Sequence, residues 1–94
     1  MKILAIETEL KKLNAVSNKE ILKDEARAVL ELQQKDILRE IYFDENYCAV
    51  LILECNDKTE ADKILSDLPL VKNGFIQFEI KELQPYTGFS RLIG

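Results

Sequence analysis

Histidine and tryptophan are absent from this chain of 94 residues, and only two cysteines, two prolines and three glycines occur in it. Without histidine there is no Ser-His or Cys-His nucleophile pair and no imidazole ligand for a metal. Cys48 and Cys55 fall seven positions apart in one expected strand, so their Cα atoms should lie about 23 Å apart. A disulfide needs roughly 7 Å or less, which excludes a bridge within the chain. Their odd separation also turns them to opposite faces, and packing as small hydrophobes is the expected role. Two distant sulfurs do not make a zinc site, so no metal is expected. The few glycines form no phosphate-binding loop, and no cofactor is expected.

Long apolar runs are missing too. Nothing approaches the roughly twenty residues needed to cross a bilayer, so no membrane partner is expected. The opening MKILAIETELKK is too short in its apolar part for a signal peptide, with Glu7 and Glu9 where small residues should precede cleavage. A cytoplasmic location is the resulting expectation. A net charge of −4 supplies no electrostatic reason to bind nucleic acid. What is present is 47% hydrophobic and 32% charged residues, the balance of a folding globular domain. A chain this short buries a modest share of its surface alone.

Residues 2–8, KILAIET, carry aliphatic side chains at both parities and read as a strand covered on both faces. Ser17 or Asn18 can cap a helix running from about Asn18 to Gln34, with Glu20 in the capping-box position relative to Ser17. At 100° per residue, Ile21, Leu22, Ala26, Val29, Leu30 and Leu32 form one broad apolar arc. Glu25 falls in the middle of that arc, one turn from Ile21 and one from Val29, and is the carboxylate most out of place. The runs ILREIYF and YCAVLILEC read as two strands joined by a polar hairpin link at Asp44, Glu45 and Asn46. Asp57 or Thr59 can cap a second helix, KTEADKILSDL, which Pro69 should end. In the closing strand GFIQFEIKEL, Phe75, Gln77, Glu79 and Lys81 alternate with Ile76, Phe78 and Ile80.

Strand, helix, strand, strand, helix, strand is the split βαβ arrangement: an α+β, ferredoxin-like βαββαβ subunit with helices on one face of a four-stranded antiparallel sheet. Residues 1–83 form this domain and residues 84–94 an arm. Strands one to three are apolar at both parities, so the uncovered face should carry an apolar patch that a second copy shields. A homodimer or higher homo-oligomer is therefore expected. The arm's Tyr86, Phe89, Leu92 and Ile93 would be buried by reaching a partner subunit or by packing on their own.

The element order, the LPL triplet at 68–70 after a short second helix, Leu32-Gln33 and Arg39 together resemble the muconolactone isomerase-like family of the dimeric α+β barrel superfamily, over roughly 18–83. The resemblance implies two sheets facing each other in a dimer, and a cofactor-free isomerase that moves a proton on a small lactone. Glu25 and Arg39 fall on positions similar to that family's. A base in this chemistry needs a pKa near the working pH, and an apolar surrounding raises that of a carboxylate. Glu25 meets the requirement unless Arg39 pairs with it or the helix is rotated so that its carboxylate reaches the rim. An Arg39 left free would instead meet a substrate oxyanion. Tyr42 and Tyr47, expected on facing strands near the hairpin turn, could place a ligand oxygen or be ordinary wet strand residues. Gln77 and Glu79 could line the space between two sheets or bond across a dimer interface. An isomerase or lyase acting on a small carbonyl or lactone compound is the expected function, against a non-catalytic ligand-binding or interaction module. A quinone-type oxygenase is a third class, favoured by no motif.

Overall fold

A computed structural model describes all residues, 1–94. Four strands form one sheet, β1 (Lys2–Glu9), β2 (Leu38–Phe43), β3 (Ala49–Glu54) and β4 (Ile76–Glu82), and three helices accompany it, α1 (Lys19–Gln34), α2 (Lys58–Ser66) and α3 (Pro69–Lys72). The spatial order is β2-β3-β1-β4, with every neighbouring pair antiparallel. This is the expected split βαβ subunit, with β1 and β3 central.

Each helix end has a local cause, and some differ from the expected ones. The capping box at Ser17 does not form. Asn14 Oδ1 instead accepts from the backbone N–H groups of Val16 and Ser17, and Asn18 Oδ1 accepts from that of Asn14, so the turn is closed before the helix begins. At the other end of α1, Asp36 adopts φ 61°, and the N–H groups of Asp36 and Ile37 reach the carbonyls of Gln33 and Leu32. That is the Schellman closure, with aspartate as the left-handed residue. Asp57 caps α2 by accepting from the Glu60 N–H at 2.8 Å. Pro69 does not open a plain turn: it starts α3, since proline at the first helical position forfeits only an N–H that would be orphaned anyway. Gly74, at φ 75°, then ends α3 through bonds from Gly74 and Phe75 to Val71 and Leu70.

The core lies between the sheet and α2. Ile3, Ala5, Leu51, Leu53, Ala61 and Leu65 are almost wholly buried there. Burying a leucine or isoleucine side chain contributes about 1.5–3 kcal/mol, so Ile3, Leu51, Leu53 and Leu65 make up much of what holds the subunit together, with Ala5 and Ala61 allowing the close approach. The long helix α1 is different, with no fully buried residue. Ala26 and Leu30, expected in its apolar stripe, are exposed. The helix lifts off the outer part of the sheet instead of lying flat along it.

The face away from the helices carries Leu4 and Ile6 from β1 and Val50 and Ile52 from β3, paired Leu4 with Ile52 and Ile6 with Val50, all half-buried. The patch is narrower than the sequence suggests, because β2 adds Glu40 and Tyr42 and β4 adds Gln77, Glu79 and Lys81. Gln77 and Glu79 thus flank the apolar strip on the uncovered side. Strand β3 is shorter than expected, so Cys48 and Cys55 flank it; Cys55 is buried, Cys48 partly so, and both are free. Beyond β4 the chain runs out as an arm ending in a 3-10 turn at Gly88–Leu92, where only a coil was expected. Tyr86 and Phe89 stack on each other at 4.8 Å, while Leu92 and Ile93 are exposed. The arm stretches the molecule to 60 Å and its radius of gyration to 15.5 Å, against about 12 Å for a compact chain of this length.

Candidate active site

Where α1 lifts away, it leaves a cavity of about 360 Å³ over the end of the sheet formed by β2, β3 and β1. Apolar side chains make most of its wall, among them Leu22 and Val29 of α1, Ile41 and Phe43 of β2, and Leu70 of α3. Two carboxylates break that wall, Glu25 from the helix and Glu7 from β1. A larger groove of about 690 Å³ lies open where the arm leaves β4, lined by Met1, Lys2, Leu83, Gln84 and Pro85, with no carboxylate in it.

Glu25 is held by the start of α3. Its Oε1 accepts from the Leu70 N–H at 3.0 Å, one of the donors that a helix's first turn leaves without an internal partner. Burial raises the carboxyl pKa above the ordinary value of 4.5; the Leu70 bond opposes this and the negative charge of Glu7 adds to it. Charge is disfavoured among apolar neighbours, so the proton is retained to higher pH. No cation stands close enough to reverse the effect.

Glu7 is held at the opposite wall. The β1–β3 ladder ends at the pair Ile6 with Val50, and the next N–H, that of Ala49, donates to Glu7 Oε1 at 3.2 Å. Each carboxylate is therefore fixed by one backbone donor. Sequence reasoning passed over Glu7, treating it only as an interruption of the first apolar run. Its signal was parity: Glu7 follows Ile3 and Ala5 at steps of two, and those two face the helices, so Glu7 had to face them as well.

Tyr47 stands at the mouth with φ 58°, an uncommon conformation for a bulky side chain. It lies in the hairpin turn and not on a strand, which corrects the expected placement. Asp44 Oδ1 accepts from the N–H groups of Asn46 and Cys48 at 2.8 and 2.9 Å, and this turn geometry forces Tyr47 into the left-handed region. Its ring sits 6.1 Å from that of Phe43.

Tyr42 points to the other side of the sheet, where its hydroxyl donates to Glu40 Oε1 at 2.8 Å. That bond to a carboxylate holds the phenol's proton and raises its pKa. The two tyrosines therefore do not converge. Arg39 neither pairs with Glu25 nor enters the cavity. It sits at the bulge between Leu38 and Glu40, is exposed, and its Nε donates to the Asp36 carbonyl at 2.7 Å. Its charge is felt by Glu54, at the end of β3 away from the cavity. An extra residue at a bulge re-aims the side chain there, which turns Arg39 away from the cavity of its own subunit. Cys48 is not an activated nucleophile: burial and then the charge of Glu7 raise its thiol pKa, whereas a reactive cysteine needs a lowered one. Gln77 and Glu79 lie on the uncovered face, away from this cavity.

No family model matches the sequence, and no curated protein does. Among solved structures, the chain is similar to muconolactone isomerase, at 17% identity with a TM-score of 0.76, covering 93% of this chain and 92% of that one. It is also similar to 5-chloro-2-hydroxyhydroquinone dehydrochlorinase from Burkholderia phenoliruptrix in complex with 2,5-dihydroxybenzoquinone, at 14% identity with a TM-score of 0.64, covering 94% and 98%. At these identities the likeness speaks for the chain's architecture alone: a ferredoxin-like α+β fold with helices on one face of a four-stranded antiparallel sheet.

Proposed function

We propose that this protein is a cofactor-independent isomerase or lyase that moves a proton on a small carbonyl or lactone compound, with Glu25 as the base. The observation that carries the reading is a carboxylate of raised pKa in a mostly apolar cavity, with Glu7 on the facing wall. Removing a proton next to a carbonyl needs a base whose pKa is close to ambient pH, and burial moves Glu25 in that direction. The Leu70 N–H holds one oxygen of the carboxylate, leaving the other to reach a ligand. Tyr47 at the mouth is the group placed to meet a ligand oxygen. The two similar structures are named for an isomerisation and a dehydrochlorination, both compatible with proton transfer without a cofactor.

Arg39, expected to meet a substrate oxyanion if left free, and Tyr42, weighed as a group to place a ligand oxygen, lie outside the cavity of their own subunit. That observation favours a second reading, a module that binds a small ligand without transforming it. Glu25→Gln separates the two. Glutamine keeps the acceptor for Leu70 but cannot take a proton, so turnover of a panel of butenolides, followed by ultraviolet absorbance, should fall at least about a hundredfold while affinity is kept. Unchanged turnover removes Glu25 as the base, and binding without any turnover in the unaltered protein supports the module.

The assembly proposed with this function is a homodimer or higher oligomer, sheet against sheet, with Gln77 and Glu79 at the border of the interface and the arm 84–94 reaching the partner. A cytoplasmic location belongs to the same proposal; no helix is long and apolar enough to cross a membrane. Sedimentation should show at least a dimer at micromolar concentration, and a stable, folded single subunit would overturn the assembly.

A further inference from the structure

Within that reading, we infer that the cavity selects uncharged carbonyl compounds and rejects ligands bearing a carboxylate. The charges facing the space carry the inference. Glu7 and Glu25 line it from opposite walls, and none of the other lining residues is a lysine or an arginine.

No lysine or arginine reaches the cavity wall, and three of the chain's cations are engaged elsewhere. Arg39 is tied to the Asp36 carbonyl. Lys11 lies over the ring of Phe75, at 4.7 Å from its centroid, and Phe75 is not part of the cavity. Arg27 pairs with Asp24 at 3.1 Å on the exposed side of α1. The Ala49 and Leu70 N–H groups each already donate to one of the two carboxylates, which leaves the neutral Tyr47 hydroxyl at the mouth, and no cation, to meet an anionic ligand.

Among apolar walls, repulsion between like charges is less screened than in water, and a carboxylate brought here would also lose its hydration without recovering it in hydrogen bonds. An uncharged carbonyl loses far less. It can accept a hydrogen bond from the Tyr47 hydroxyl without bringing a charge into the space, and its body is matched by Leu22, Val29, Ile41 and Phe43. This narrows the proposed substrates to neutral lactones, ketones or amides of about the size of one substituted ring.

Benzamide and benzoate have nearly the same shape and differ in charge, so they isolate the claim and need no turnover. Each is titrated into the full-length protein at neutral pH, and backbone amide NMR shifts of Ala26, Val29 and Ala49 are followed. Benzamide should bind at least about tenfold more tightly than benzoate, a ratio corresponding to about 1.4 kcal/mol. In Glu7→Gln, which keeps an acceptor for the Ala49 N–H, that ratio should shrink by about threefold or more. Equal or tighter binding of benzoate, a ratio unchanged in Glu7→Gln, or no shift at the cavity with either compound would each overturn the inference. Loss of the catalytic reading is seen separately, in the turnover of Glu25→Gln.

Discussion

The two helices that cover this sheet do so in opposite ways. Under α2, Ala61 and Leu65 meet Ile3, Leu51 and Leu53 with almost no surface left to solvent, and no polar side chain is buried among them. No side chain of α1 itself is fully buried, and the space left beneath it admits two carboxylates. The difference shows how so short a chain can hold both a core and a cavity. One half of the helical layer supplies the close packing that stabilises the fold, which leaves the other half free to be loosely filled. A carboxylate could not sit at Leu65 without severe destabilisation, but at Glu25 a gap, a backbone donor and partial access to water make it tolerable.

This contrast can be broken most strongly at Leu65. Leu65→Ala should destabilise the fold by about 2–5 kcal/mol, because the cavity it creates is enclosed on all sides. Val29→Ala, beside the existing cavity, should cost only about 1 kcal/mol, since its side chain is half-buried to begin with. Urea denaturation of the two variants measures the difference; equal losses would mean that α1 is packed as tightly as α2.

A smaller effect sharpens the same comparison through pH. Glu25 holds its proton to higher pH in the folded protein than at its ordinary value of 4.5. Between those two values the folded state binds more protons than the unfolded one, so stability falls as pH rises through that window and levels off above it. In Glu25→Gln this share of the slope should vanish, leaving the variant slightly less pH-sensitive above pH 4.5. A urea midpoint series from acid to neutral pH detects it, and parallel profiles for the two proteins would show that Glu25 ionises as it does in the unfolded chain. No comparable change is expected in this range from the core under α2, where the buried group that titrates, the Cys55 thiol, is pushed up from its ordinary value of 9.0 by burial.

Much of the architecture was legible because it depends on short-range periodicity. The alternation of Ile76, Phe78 and Ile80 with Gln77 and Glu79 set the faces of β4, and the apolar stripe around Ala61 and Leu65 marked the buried side of α2. Glu25 stood out for the same reason, as a charge at a helix position where neighbours one turn away are apolar. The other site residues were less legible. Glu7 obeys the strand's parity but acquires meaning only beside Glu25, which lies eighteen positions along the chain. The direction of Arg39 was not legible because a bulge shifts the register of β2 at that point. Tyr47 was assigned to a strand because its left-handed turn depends on a side-chain acceptor, Asp44, that a hydropathy pattern does not register.

Sequence alone determined the order of the elements, the antiparallel α+β class and the single misplaced carboxylate, since helix and strand periods are properties of neighbouring residues. Tertiary structure decided that α1 stands off the sheet, that Glu7 and Glu25 share one apolar space, and that Arg39 and Tyr42 lie outside it. Those outcomes depend on register, on a bulge and on the N–H groups left free at a ladder end and a helix start. Backbone groups of that kind belong to every residue alike, so only the folded chain reveals which side chains they hold.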